Sequence, residues 1–472
     1  MTDTMTAVAP RHLHPLASAA RPSGRARVDA AVGLAAGAGL WLSLLLVGWW
    51  WAAGGGLRDL GGWEGGLTSL GRLTGLVAAD LLLVQVLLMA RVPTLERAFG
   101  QDELVRRHRL VGFTSFNLMV AHVLLITWGY AAGRLDRAPG TFWALVTGYP
   151  AMLLALAGTA CLVMTMATSV RAARRRLRYE SWHLLHLYAY LGVGLALPHQ
   201  LWTGQEFLAS PAASVYWWSL WAAAAGAVLV WRIGLPLWRN ARHRLRVAAV
   251  VPEADRVVSV YLAGRRLDRL PAEAGQFFTW RFLNRQGWTR GNPYSLSAAP
   301  DGRGLRITVK ELGDNSAQVR ALRPGTPVLF EGPFGRLTAR PRTRRRVALI
   351  GAGVGVAPLR ALAEGLAYAP GDAVLLHRFT GRPLFERELH LLAFRRGLQV
   401  LWLPGHRRAP GSWLGDGVGP ADDLTALRWW VPDLAERDVY VCGPEDWVEA
   451  VRGVTLAAGL PPEQLHVEKF RW

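Results

Sequence analysis

Four histidines lie in two apolar stretches of this chain, and any fold has to accommodate them. One stretch, HRLVGFTSFNLMVAH, runs from His108 to His122, and the other, HLYAYLGVGLALPH, from His186 to His199. Each is long enough to be most of a membrane-spanning helix. A histidine inside a bilayer is costly and marks function, and neutral imidazole is a common axial ligand of haem iron. His108 and His122 are separated by a helical rise of roughly 21 Å, and both side chains return to nearly one face. His186 and His199 span roughly 20 Å, although on an ideal helix their rings point roughly 140° apart. Pro198, just before His199, can break or kink that helix. His183 is a rival for His186, with a less well matched rise of roughly 24 Å to His199. Two helices with matched pairs can hold two stacked haems, each taking one histidine from each helix. The alternative is four polar residues bonded to neighbouring helices.

Apolar runs at 30–53, 67–89, 108–132, 141–169, 182–202 and 215–237 are long enough to span a bilayer. Hydrophobic residues make up 51% of the chain and tryptophans number 22, which suits membrane helices with interfacial aromatics. The net charge of +20 comes almost wholly from arginine. A basic chain can signal nucleic-acid binding, but these arginines cluster in alternate loops beside the apolar runs: Arg91, Arg97, Arg106, Arg107 and Arg109, then Arg171, Arg174, Arg175, Arg176 and Arg178, then Arg239, Arg242, Arg244 and Arg246. The positive-inside rule then places both termini in the cytoplasm, so no nucleic-acid partner is expected. Spans three and five both run outward, which sets His108 and His186 at the inner level and His122 and His199 at the outer one. Residues 1–27 read as a disordered cytoplasmic tail without the apolar core of a signal peptide. The two cysteines, Cys161 and Cys442, fall in different domains and cannot supply the four thiolates of an iron–sulfur cluster.

From about residue 245 the chain turns soluble. RVVSVYLAG and RGLRITVKEL alternate as strands, and Gly and Pro punctuate short strands as far as Gly335, which predicts a small antiparallel β-barrel over 245–340. PRTRRR, at 341–346, reads as a linker. Beyond it, a buried strand, a glycine turn and a helix lead into further apolar strands, giving an α/β parallel-sheet domain over 345–472. Gly351, Gly353 and Gly355 lie between that first strand and its helix, where bare backbone lets a pyrophosphate approach the helix N-terminus. Pro358 suits the first helical turn. The second strand ends in His377 and Arg378 in place of the acidic residue that selects NAD, which favours NADPH, with NADH possible. Arg407 is a second candidate for the 2′-phosphate.

The run Asn292-Pro293-Tyr294-Ser295-Leu296-Ser297 falls within the predicted barrel, followed by KELGDNS (310–316) and GPFG (332–335). Followed in turn by the glycine turn, Cys442-Gly443-Pro444 and an aromatic C-terminus, this order resembles the flavin and nucleotide module of the ferredoxin–NADP reductase family. The resemblance implies FAD. Tyr294 and Ser295 would pack on the flavin ring, with Lys310, Gly313 and Ser316 near its pyrophosphate and Gly332 to Gly335 shaping the groove. It also implies Cys442 beside the reacting nicotinamide carbon and Trp472 stacked on the flavin. The family usually has Arg or His where this chain has Asn292. With the membrane half included, the chain resembles the ferric reductase and NADPH oxidase superfamily, in particular the minimal bacterial oxidases. That likeness puts Arg72 near the outer haem and its oxygen pocket. The family's additional outer-side histidine is Ile126 here. No EF-hand loop is present, so calcium gating is not expected.

The reading implied is a multi-pass protein of a bacterial plasma membrane, with six transmembrane helices holding two b-type haems over 28–240. It passes electrons from NADPH through FAD to a small-molecule acceptor outside, O2 or a ferric chelate, without an obligatory partner. A haem subunit serving a partner enzyme and a non-haem transporter are the remaining alternatives.

Overall fold

The computed structural model describes residues 24–177, 179–208, 210–284 and 290–470. They form two compact units, one built chiefly from residues 27–338 and the other from residue 339 onward apart from 360–365. Most of the tail expected over 1–27 lies outside the described residues, and its last four already belong to a helix.

The first unit opens with α1 (Gly24–Ala53), α2 (Trp63–Met89), a short α3 (Pro93–Phe99) and α4 (Gln101–Tyr130). Then come α5 (Ala138–Gly148), α6 (Met152–Ser169), α7 (Tyr179–Trp202) and α8 (Pro211–His243). Among the described residues, five helices are long and apolar enough to cross a membrane: α1, α2, α4, α6 and α8. The expected fifth span is a helix, α7, of 24 residues, but it is not among those five. Its three histidines, Pro198 and Gln200 leave it less apolar than the other five.

The expected span 141–169 is not one helix. Pro150 offers no N–H and pushes its predecessor out of helical geometry. Tyr149 is accordingly extended (φ −106°, ψ 145°), Ala151 is left-handed (φ 61°), and only Met152–Ser169 is long and apolar enough to cross a membrane. Helices α2 and α4 approach closely enough that a Cβ on Gly75 would sit 2.5 Å from Nδ1 of His122. A Cβ on Gly158 of α6 would lie 2.7 Å from the carbonyl of Gly192 on α7. Small residues at crossings let backbones meet where no hydrophobic effect drives helices together, and here they bring α4 and α7 to fixed places.

The same unit continues into β1 (Arg246–Ala254), β2 (Val257–Ala263), β3 (Phe277–Phe282), β4 (Asn292–Ser295), β5 (Gly304–Lys310) and β6 (Val328–Phe334). They make two three-stranded antiparallel sheets, ordered β1-β2-β5 and β4-β3-β6. Bridges at Leu296–Ile307 and Arg246–Pro327 join them in place of the single sheet a simple barrel reading implies. Burial alternates along β3 and β6: Phe278, Trp280 and Phe282 point into a shared core with Phe330 and Ile307, while Arg281 and Glu331 face away.

The second unit is a five-stranded parallel sheet, β11-β10-β7-β8-β9. Its strands are β7 (Arg346–Ala352), β8 (Ala373–Phe379), β9 (Gln399–Pro404), β10 (Arg437–Pro444) and β11 (Leu465–Phe470). Strand β7 leads through the glycine turn into α9 (Val356–Gly365). The stretch 341–346 is no slack linker. The amide of Thr343 donates to Asp438 at 2.7 Å, Arg345 pairs with Asp372 at 2.8 Å and Arg346 with Asp433 at 2.8 Å.

Candidate functional site

The rings of His108 on α4 and His186 on α7 face one another, with centroids 6.0 Å apart and planes at 69°. Each is turned by its Nδ1: that of His108 meets the carbonyl of Gln85 at 3.3 Å, and that of His186 meets Oγ of Ser169 at 3.2 Å. At the other level, Nδ1 of His122 is 2.7 Å from the carbonyl of Gly71, and His199 is close enough to His122 to interact with it electrostatically. A Nδ1 contact fixes tautomer and ring orientation and leaves Nε2 for a metal. His183, one turn before His186, instead senses Arg91, Arg232, Arg281 and Glu331.

Among the described residues, no three His, Cys, Asp or Glu side chains gather into a metal site. Two imidazoles per level are the donor set that a porphyrin iron would take from a protein. The inner spacing fits: two metal–imidazole bonds of about 2 Å each put facing ring centroids roughly 6 Å apart. Arg72, expected beside an outer oxygen pocket, is held by two carboxylates, Asp59 at 2.5 Å and Glu206 at 3.4 Å. Glu206 in turn interacts electrostatically with His122.

In the antiparallel sheets, Tyr294 and Ser295 end β4, next to Asn292 and Pro293, and Phe277 of β3 pairs with Ser295. The Tyr294 carbonyl accepts from Nε1 of Trp280 at 3.0 Å, and burial pushes its phenol up to about 12. Leu296 is wholly buried beneath them. Gly332 has φ 137°, and a Cβ there would strike Phe278 at 2.7 Å, so only glycine fits; Gly335 is also left-handed. Lys310 ends β5 with its side chain exposed. The Ser316 hydroxyl accepts from the amides of Leu312 and Gly313 at 2.8 and 3.1 Å, closing the turn that carries Gly313.

In the second unit, Gly353 is left-handed (φ 54°), and a Cβ on Gly355 would collide with the backbone of Cys442. A Cβ on Gly351 would press on Leu359 at 2.8 Å, and Pro358 lies in the first turn of α9. The glycine turn and the end of β10 are thereby in contact. Cys442 itself is fully buried, and burial raises its thiol well above the ordinary range. Arg378 and Arg407 come within electrostatic range of each other and of Asp416, and burial followed by Arg407 lowers the Arg378 guanidinium. Arg407 also donates to the carbonyls of Ser412 and Asp446 at 2.6 and 3.1 Å. His377, beside Gly351 in the sheet, is buried and pushed down to about 3 by desolvation. Trp472 lies outside the described residues.

The sequence reading missed Gln85, Gly71 and Ser169, which orient the imidazoles; no local signal marks a backbone carbonyl as an acceptor. It also passed over Asp80 of α2, an intramembrane acid and therefore a visible flag. Its Oδ1 accepts from Ser43 at 2.6 Å and from Tyr216 at 2.5 Å, joining α1, α2 and α8.

Residues 74–197 match the family described as ferric reductase like transmembrane component, an interval holding His108, His122 and His186 and ending just before His199. The chain is 26% identical over 248 residues to a flavohemoprotein of Xylella fastidiosa, covering 49% of this chain and 59% of that one. It is 29% identical over 243 residues to the ferredoxin reductase component of 3-ketosteroid-9-alpha-monooxygenase from Mycolicibacterium smegmatis, covering 48% and 65%. Among solved structures, it is similar to the flavohem-like FAD/NAD binding domain of nitric oxide dioxygenase from Vibrio cholerae, at 25% identity and a TM-score of 0.41, covering 48% and 99%. The chain thus spans about three fifths of the length of the curated relatives it matches.

These findings define a class by likeness: a chain with several helices long and apolar enough to cross a membrane, a ferric reductase-like segment, and sequence similarity to flavin-dependent reductases. More particularly, residues 74–197 match a ferric reductase-like transmembrane component, and about half of the chain is similar in sequence to flavohemoproteins and ferredoxin reductase components.

Proposed function

We propose that this protein transfers electrons across a bacterial plasma membrane, from cytosolic NADPH (or NADH) to an acceptor outside, with FAD and two haems b as its cofactors. O2, reduced by one electron to superoxide, is the acceptor we favour. The observation that carries the reading is the facing of His108 and His186 at 6.0 Å in a chain that also folds a flavin-type module.

Bound FAD would supply the conversion of a two-electron hydride into single electrons, and haem b their one-electron carriage. The chain's own residues do the rest. His108 with His186, and His122 with His199, would hold one haem at each level. Tyr294 and Ser295, with Asn292 beside them, would hold the flavin ring, and Lys310, Gly313 and Ser316 would hold its pyrophosphate. Gly351, Gly353 and Gly355 admit the nicotinamide nucleotide's pyrophosphate, and Arg378 and Arg407 take its 2′-phosphate through charge-assisted bonds. Cys442 and Trp472 carry the nicotinamide-side roles that the family resemblance implies. Arginine-rich alternate loops support cytoplasmic termini.

A second reading, ferric-chelate reductase, is favoured by Ile126 at the position where superoxide-producing relatives keep a histidine. The two separate in one experiment: NADPH oxidation by the purified protein, aerobic and anaerobic, with a superoxide trap and then a ferric chelate. Oxygen-dependent turnover with trapped superoxide, unaffected by chelate, supports the first. Turnover only on chelate supports the second.

A further inference from the structure

Strand β6 is gripped by side chains from the membrane helices and their cytoplasmic connections. Asn240 of α8 bonds both backbone groups of Phe330: its Nδ2 donates to the carbonyl at 2.8 Å, and its Oδ1 accepts from the amide at 2.9 Å. Arg239 donates to the carbonyl of Gly332. Arg91, just past the end of α2, does two things at once. Its Nε lies 3.9 Å from Glu331, and its guanidinium stacks 4.1 Å over the ring of Phe334. The side chain is only 17% exposed, and its backbone is left-handed at φ 62°. A desolvated guanidinium over an aromatic face is worth more than a surface one, and a residue that is neither glycine nor asparagine holds a positive φ only where its surroundings fix it.

Two short routes leave this contact. Phe334 packs on Phe277 at 5.8 Å, and Phe277 pairs directly with Ser295. Glu331 is shared with Arg281 at 3.5 Å, and His183 senses Glu331, Arg281 and Arg91 together. His183 is one helical turn from His186. The cluster therefore spans from the residues placed on the flavin to the helix that carries the inner imidazole.

We propose that Arg91 is a positioning residue for electron transfer out of the flavin: through Glu331 and Phe334 it fixes the flavin-binding sheet against the inner histidine pair. This rests on the electron-transfer reading above. Electron transfer falls steeply with distance, so a strand allowed to drift slows the flavin-to-haem step while leaving the hydride step alone.

The test uses full-length, FAD- and haem-loaded Arg91→Ala, Arg91→Lys and the near-isosteric Glu331→Gln. NADPH-driven flavin reduction and the following haem reduction are timed anaerobically, and amide exchange is compared across 328–334. For Arg91→Ala the expected result is flavin reduction within twofold of wild type, haem reduction slowed at least tenfold and faster exchange in β6. Arg91→Lys keeps the charge but not the planar face and recovers part of the rate; Glu331→Gln shows the same split. Haem reduction at the wild-type rate in both Arg91→Ala and Glu331→Gln, or equal slowing of both steps, overturns the proposal. A wild-type protein whose haem is never reduced sinks the electron-transfer reading instead. The exchange comparison, made without NADPH, then still decides whether Arg91 holds the strand.

Discussion

His108 and His186 sit on different helices with their imidazole centroids 6.0 Å apart, and their Nδ1 atoms are engaged by Gln85 and Ser169 respectively. Neither contact is local in sequence, so the facing depends on where α2 and α6 lie against α4 and α7. Replacing His122, the outer counterpart on α4, with Ala is expected to remove one haem and to leave NADPH-driven flavin reduction intact. Haem quantification on the purified variant checks this, and a full haem complement contradicts the ligand assignment.

Arg378, near the end of β8, and Arg407, in the connection after β9, interact electrostatically in the second unit. Two mutually repelling guanidiniums suit an anion between them. Arg378→Ala is expected to raise KM for NADPH roughly tenfold, about 1.4 kcal/mol, with kcat and the KM for NADH little changed. Equal effects on both nucleotides would assign Arg378 a structural role.

Burial keeps the thiol of Cys442 protonated. Iodoacetamide at about pH 8 is therefore expected to leave it largely unmodified. Cys442→Ala is expected to slow single-turnover flavin reduction roughly tenfold, about 1.4 kcal/mol of barrier, with FAD still bound. An unchanged rate removes Cys442 from the hydride step.

Glu96 on α3 has its carboxyl pushed up from 4.5 to about 7 by burial, against the opposing pull of Arg91 and Arg232. The folded protein thus holds this proton more tightly than the unfolded chain does. Its contribution is complete below about pH 4.5, is lost as pH rises toward 7, and amounts to roughly 3 kcal/mol at most. Thermal midpoints of the purified protein are expected to fall across that window and to fall less in Glu96→Gln. Identical pH profiles for the two proteins contradict it.

Much of this was legible in the chain. The apolar runs marked the helices because a bilayer demands length and hydrophobicity together. Alternation marked β2 and β5, and the glycine turn fell between a strand and a helix. What was not legible depended on tertiary neighbours. Pro150 broke a run that composition alone joins. The choice of His186 to face His108 needed the α6–α7 crossing at Gly158 and Gly192. Arg91 read as one more positive-inside residue, and nothing near it in sequence announces Glu331 or Phe334. The roles given to Tyr294, Ser295 and Lys310 came from motif order, not from periodicity.

The most direct test is a pyridine haemochrome count on the isolated, FAD-loaded protein, followed by anaerobic addition of NADPH. The account predicts two b-type haems per chain, both reduced by NADPH, with one lost in His108→Ala. A protein carrying no haem or a single one, or haems that stay oxidised while the flavin is reduced, contradicts it.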